Sequence, residues 1–159
     1  MWRRAVVGVS GVLVLAVMGY STWQKEQLLT RGRVVLLELA PVDPRSLMQG
    51  DYMALRFAVA GEVGRYEGQW AGTFVAGLDE RGVAKYRRLD GGGALAGDEV
   101  RIYYRVRGRE VKLGTNAFFF QEGDADLYVG ARYGEARVDE RGQILLTGLR
   151  GKDLERLGR

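Results

Sequence analysis

The chain contains neither cysteine nor histidine, and only two prolines among 159 residues. Without thiols there is no disulfide and no thiolate metal site, and the redox compartment cannot be read from cysteine usage. Without imidazole the usual general base near neutral pH and the commonest metal ligand are both missing, which excludes zinc chemistry and histidine-dependent triads. Nucleophilic catalysis is then left to serine or threonine activated by lysine. Lysine is itself scarce: Lys25, Lys85, Lys112 and Lys152 are all there are. No Gly-Lys-Ser or Gly-Lys-Thr occurs, so the glycine-rich stretches 61–72 and 90–97 are read as loops and not as phosphate cradles. Excess charge is small as well: 24 basic against 20 acidic residues give +4, with arginines interleaved among acids along the chain. That pattern describes a solvated surface that tolerates anionic headgroups, and no nucleic-acid partner is expected.

What is present begins with an uncharged run from Ala5 to Trp23, preceded by Arg3 and Arg4. As a helix rising about 1.5 Å per residue it spans roughly 28 Å, close to the ~30 Å hydrocarbon core of a bilayer. A cleaved secretory signal needs a small-residue cleavage site, which Ala16-Val17-Met18 does not supply. Trp2, Tyr20 and Trp23 stand where interfacial aromatics hold an uncleaved helix. A retained anchor over residues 1–31, continuing as a short stalk to the break at Gly32, is therefore expected. Basic residues flank the span on both sides (Arg3 and Arg4 against Lys25, Arg31 and Arg33), so their count does not set its direction. A short tail is easily left inside, and the expectation is an N-terminus in the cytoplasm of a bacterium with the following domain outside it.

Beyond Gly32 the period changes from helix to strand. Val35, Leu37 and Leu39 alternate along a mostly buried strand before Pro41 and Pro44 interrupt regular pairing. Met53, Leu55, Phe57 and Val59 share one face of a next strand. Val100, Ile102, Tyr104 and Val106 alternate with Arg101, Tyr103, Arg105 and Arg107, which marks a sheet with an arginine- and tyrosine-bearing solvent face. Asp79-Glu80-Arg81-Gly82 recurs as Asp139-Glu140-Arg141-Gly142, and both read as hairpin turns, with Arg107-Gly108-Arg109 as a third. Further strands are expected near 73–78, 83–88, 109–113, 127–138 and 143–149, with a terminal helical turn over 151–157. The fold class is mainly β: residues 32–159 form an antiparallel sandwich or partly open barrel, preceded by one N-terminal transmembrane helix.

Two segments carry a resemblance. Gly50-Asp51-Tyr52, with Leu55 three residues on and Phe57 two further, resembles the signature of the GDYXXLXY family of bacterial membrane-anchored proteins, with Phe57 where the signature has tyrosine. Phe120-Gln121-Glu122-Gly123, followed by Ala131 to Val138, is similar to that family's second block. The resemblance covers nearly the whole chain and implies an architecture and a location. It also implies a membrane partner, since similar proteins are often encoded beside polytopic membrane proteins. Asp51 is read as fixing the corner into its strand, and alternatively as part of a recognition patch with Tyr52, Arg56 and Glu122 where the two blocks meet. Arg101, Tyr103, Arg105 and Arg107 form a second candidate interface.

Leu47-x-x-Gly50-Asp51 is also reminiscent of the box after the nucleophile in type I signal peptidases. The position from which that nucleophile would act is Val42, and Ser46 lies only four residues before Gly50. Lys85 sits near Arg87 and Arg88 on a polar hairpin, a poor setting for a desolvated base. Glu122, Asp124 and Asp126 lie on one side of an extended segment but lack the ligand number of a calcium loop, and read as a solvated acidic turn. The expectation is a single-pass protein of the cytoplasmic membrane whose partners are the bilayer and a polytopic membrane protein or other envelope protein. It is expected to work without cofactor, metal or catalysis, a membrane-anchored serine–lysine hydrolase being the alternative.

Overall fold

The structure, a computed structural model, describes residues 2–40, 48–49, 52–63, 70–108, 110–115 and 117–158. Helix α1 (Trp2–Arg31) is followed after Gly32 by β1 (Arg33–Glu38). The remaining elements are β2 (Met48–Gln49), β3 (Tyr52–Ala54), α2 (Ala58–Val63), β4 (Ala71–Leu78), β5 (Ala84–Leu89), β6 (Glu99–Arg107), β7 (Glu110–Lys112) and β8 (Ala117–Phe119). A 3-10 turn (Ala125–Tyr128), β9 (Tyr133–Val138), β10 (Ile144–Arg150) and β11 (Arg156–Leu157) complete the chain. Two curled four-stranded antiparallel sheets, β1-β9-β10-β11 and β5-β4-β6-β7, are joined by a small third one, β2-β3-β8. The fold is mainly β, as the alternating patterns require.

Those alternations fill one core. Val35 and Leu37 of β1, Phe74 and Ala76 of β4, Ile102 and Tyr104 of β6, and Ala136 and Leu149 of β9 and β10 are all buried and cluster together. The Phe74 ring lies 5.8 Å from that of Tyr86 and 6.2 Å from that of Tyr104. Burying such side chains stabilises the fold by roughly 1.5–3 kcal/mol each before entropy is charged against it.

The two Asp-Glu-Arg-Gly segments form the same turn. Asp79 Oδ1 accepts the N–H groups of Arg81 and Val83 at 2.9 Å, and Asp139 Oδ1 those of Arg141 and Gln143 at 2.9 and 2.8 Å. Gly82 and Gly142 close them at φ 78° and 82°. Each turn docks on the opposite sheet. The Gly82 carbonyl accepts Leu36 N–H of β1 at 2.9 Å, and the Gly142 carbonyl accepts Tyr103 N–H of β6 at 2.8 Å. The hairpin beside β6 thus caps an edge of β1, and the hairpin beside β1 caps an edge of β6.

Three sequence expectations need correction. The strand containing Met53, Leu55, Phe57 and Val59 stops at Ala54, and Ala58–Val63 is helical. Val59, Ala60 and Val63 point the same helix face into the core, and Val59 would face inward on either period, so spacing alone did not separate the two. The stretch 127–138 begins as a 3-10 turn, with Leu127 N–H bonded to Asp124 O and Ala131 N–H to Tyr128 O. The C-terminus is a tight hairpin in place of a helical turn: Gly151 N–H reaches Glu155 O, Leu154 sits at φ 65°, and Leu157 pairs with Leu149. Pro41 and Pro44 lie outside the described residues.

The matched turns make a sharp test. A Cβ on Gly82 would meet open space, whereas one on Gly142 would lie 3.0 Å from Tyr103 N. Gly82→Ala should cost about 1–2 kcal/mol through positive φ alone, and Gly142→Ala clearly more, because backbone there cannot yield. Urea unfolding midpoints of the two variants report the difference, and equal losses would mean that the Gly142 docking contact does not exist.

Candidate functional site

The two signature blocks meet by strand pairing. β3 lies against β8 in the register Tyr52↔Phe119, Met53↔Phe118 and Ala54↔Ala117. The Tyr52 and Phe119 rings are 5.7 Å apart on one face, where Phe119 is 72% exposed. On the opposite face Phe118 and Phe120 close on Tyr128, at 5.2 and 5.3 Å. Leu55 and Phe57 are buried, and Phe57 forms a bridge with Leu39. The two apolar residues of the first block, Leu55 and Phe57, therefore serve the core.

The polar members of that patch are placed differently from one another. Arg56 is exposed and reaches Glu110 of β7 at 3.3 Å rather than Glu122. It lies two residues past β3, where the chain turns toward β7, whereas Gln121 and Glu122 are exposed on the turn after β8 that Gly123 closes at φ 89°. What joins the blocks among the described residues is strand pairing with aromatic packing on it. Gly50 and Asp51 lie outside the described residues, as does Ser46. Lys85, the lysine weighed for a serine–lysine pair, is exposed on β5. No group of three or more acidic residues placed to hold a metal ion occurs among the described residues.

The second candidate surface is the outer face of the sheet β5-β4-β6-β7. Its alternation matches the sequence reading: Ile102 and Tyr104 point inward, while Arg105 and Arg107 are exposed and Arg101 and Tyr103 half-buried. Arg101 is tied down, its Nε donating to Asp90 at 2.8 Å and its Nη2 to the Gly93 carbonyl. The Arg105 guanidinium lies 6.0 Å from the centre of the Tyr103 ring, within reach of a cation–π attraction.

Sequence reasoning missed Glu99, which opens β6 and is only 7% exposed. Arg88 grips it with both nitrogens, Arg87 donates to it at 3.2 Å, and Ala96 N–H at 3.1 Å. Arg87 also holds Asp98 at 2.6 Å. The Arg88 hydrogen bond, then the Ala96 amide, pull the Glu99 carboxyl down to about 2. The Asp98 carboxylate, then that of Glu99, raises Arg87, and the Glu99 carboxylate raises Arg88. The available signal was the Arg87-Arg88 pair one strand away from Asp98-Glu99, but linking them needs the bulged register of β4 with β5 between Val75 and Ala76.

One cleft of about 390 Å³ lies between the Glu80-Arg81-Gly82 turn, Val34 and Leu36 of β1, and Arg150 and Leu154. Arg150 donates from Nε to the largely buried Glu135 at 2.5 Å and from Nη1 to the Leu154 carbonyl at 2.7 Å. These bonds brace the C-terminal hairpin.

The profile of one protein family, described as GDYXXLXY protein, matches residues 14–149 of the chain. No curated protein and no solved structure matches it.

The depressed Glu99 fixes the sign of an acid response. Its carboxylate stabilises the fold fully above its ordinary value near 4.5, and that contribution is lost as pH falls from there through about 2. Melting temperatures of the wild type should drop more between pH 5 and pH 2 than those of Glu99→Gln, which starts lower at pH 7. Parallel curves for the two proteins would show that Glu99 is not a charged anchor.

Proposed function

The chain belongs to the GDYXXLXY family, and from that premise we propose that it is a single-pass protein of the bacterial cytoplasmic membrane whose extracytoplasmic β domain binds or supports a polytopic membrane protein or another envelope protein, without catalysing a reaction. The observation that carries this reading is the junction between helix and sheet. The helix span Val6–Arg31 is long and apolar enough to cross a membrane, with none of its most apolar window buried. Tyr20 and Trp23 stack at 6.1 Å near its polar end, as an interfacial aromatic pair would.

Only Gly32 separates the helix from β1. Gly32 N–H bonds Leu28 O at 3.0 Å, and Arg137 Nη1 of β9 donates to the Gly32 carbonyl at 2.9 Å. Gln27 and Leu28 are half-buried against the domain. From Gln24 to Arg31 the helix climbs about 12 Å above the aromatic pair, so the sheets are held at a set height and orientation over the bilayer. A domain that only needed tethering would be served by a flexible linker. Fixed placement suits a binding surface that must meet a partner lodged in the same membrane.

Because the chain has no cysteine, single introduced cysteines report sidedness without background. Lys152→Cys, on an exposed turn, should react with a membrane-impermeant maleimide in spheroplasts, and Arg3→Cys only after lysis. The protein should also stay in the membrane fraction through alkaline carbonate. Recovery in the soluble fraction overturns the anchor, and the reverse labelling pattern overturns the orientation. Photocrosslinking from Tyr52 and Tyr103 in native membranes should yield a discrete adduct with a membrane or envelope protein, and the absence of any would remove the partner.

A further inference from the structure

On the outer face of β5-β4-β6-β7 the charges are unevenly matched. At one end Arg87, Arg88 and Arg101 are neutralised by Asp98, Glu99 and Asp90. At the other end four cations share one carboxylate: Arg56 and Lys112 both pair with Glu110, at 3.3 and 3.1 Å, while Arg105 and Arg107 have no carboxylate partner among the described residues. Strand register brings these groups together, since Arg105 lies opposite Lys112 and Arg107 opposite Glu110.

A tryptophan stands at the same rim. Trp70 precedes β4, its carbonyl accepts Val106 N–H at 2.7 Å, and its side chain is 82% exposed. It thus stands opposite Val106 at the same end of the sheet, across the sheet from Arg105 and Arg107 by strand alternation, and the exposed Ala71 lies opposite Arg105. Tryptophan, tyrosine and arginine are the residue types that concentrate binding energy at protein interfaces.

We propose that this rim, built from Trp70, Arg105 and Arg107 with Arg56 and Lys112 beside them, is a docking site for an acidic polypeptide segment of the domain's partner. This rests on the reading that the domain has a protein partner, and it adds the chemistry of the contact. Guanidinium forks at 105 and 107 would take carboxylates bidentately, and the Trp70 ring would cover an apolar residue where the segment passes over the end of the sheet. The nearby Tyr103 ring holds Arg105 from beneath. Complementary charge of this kind speeds encounter and weakens with added salt.

The test uses the full chain in nanodiscs of zwitterionic lipid, with a synthetic twelve-residue peptide rich in glutamate and aspartate and carrying two leucines. It should bind the acidic peptide and ignore a lysine-substituted counterpart, with affinity falling as salt rises. Trp70→Ala, and separately Arg105→Glu combined with Arg107→Glu, should each weaken binding tenfold or more, while Lys152→Glu, on an exposed turn elsewhere, should not. No binding, or equal loss in the Lys152 variant, overturns the site. Indifference to the peptide combined with rim-dependent capture of phosphatidylglycerol vesicles would make the occupant a lipid and also overturns it. A photocrosslinker at position 105 should trap the partner in intact envelopes. Adducts from position 119 but not 105 would leave a protein partner standing and remove this site, and adducts from neither would remove both.

Discussion

Two hydrogen bonds to glycine carbonyls, from Leu36 N–H to Gly82 and from Tyr103 N–H to Gly142, tie together the two large sheets whose inner faces pack through side chains. Each ends a hairpin and each lands on the edge of the other sheet, so the two halves of the domain brace one another reciprocally. Exposed strand edges invite pairing with other chains. Here part of an edge of β1 and part of an edge of β6 are covered by turns of identical sequence. The core is the consequence: Phe74, Ile102 and Tyr104 from one sheet and Val35, Leu37 and Leu149 from the other are sealed because the turns hold the sheets face to face.

The same sheet carries two electrostatic regimes a few residues apart. Around Glu99 the guanidinium groups are saturated by carboxylates and by the Ala96 amide, and that cluster fixes the β5-β6 surface. Along β6 toward Arg107, Glu110 alone serves Arg56 and Lys112 among the described residues, and Arg105 and Arg107 face solvent. Saturated pairs are a structural fixture, and unsaturated ones leave capacity for something else to fill. The boundary falls at Tyr103, where the opposite hairpin docks, so the rim beyond it is set by the same contact that closes the fold.

Much of this was legible in the residues. An uncharged run of membrane length, strict alternation in Val100 to Arg107, and an aspartate and glycine framing each repeated turn have few physical readings. The Phe57 to Val63 stretch was not legible, because Val59 is inward in both a strand and a helix and only the bond from Ala60 N–H to Phe57 O decides. The C-terminal hairpin was hidden behind Leu154, a non-glycine residue at positive φ that no propensity would place there. The meeting of the signature blocks was anticipated, yet its character was not: Arg56 turns to Glu110, and the join is made by Tyr52 and Phe119. Charge partnership depends on register and bulges, and neither can be counted along one strand.

The clamp of Arg137 on Gly32 makes helix and sheets a single lever. Transmembrane helices tilt by about 20° on average, and a body extending about 30 Å beyond the pivot would swing its far end by roughly 10 Å for that angle. In the proposed membrane placement, a change in bilayer thickness or in the packing of α1 would thereby be converted into displacement of the outer surface. A partner gripping that surface would sense the inclination of a helix it never touches.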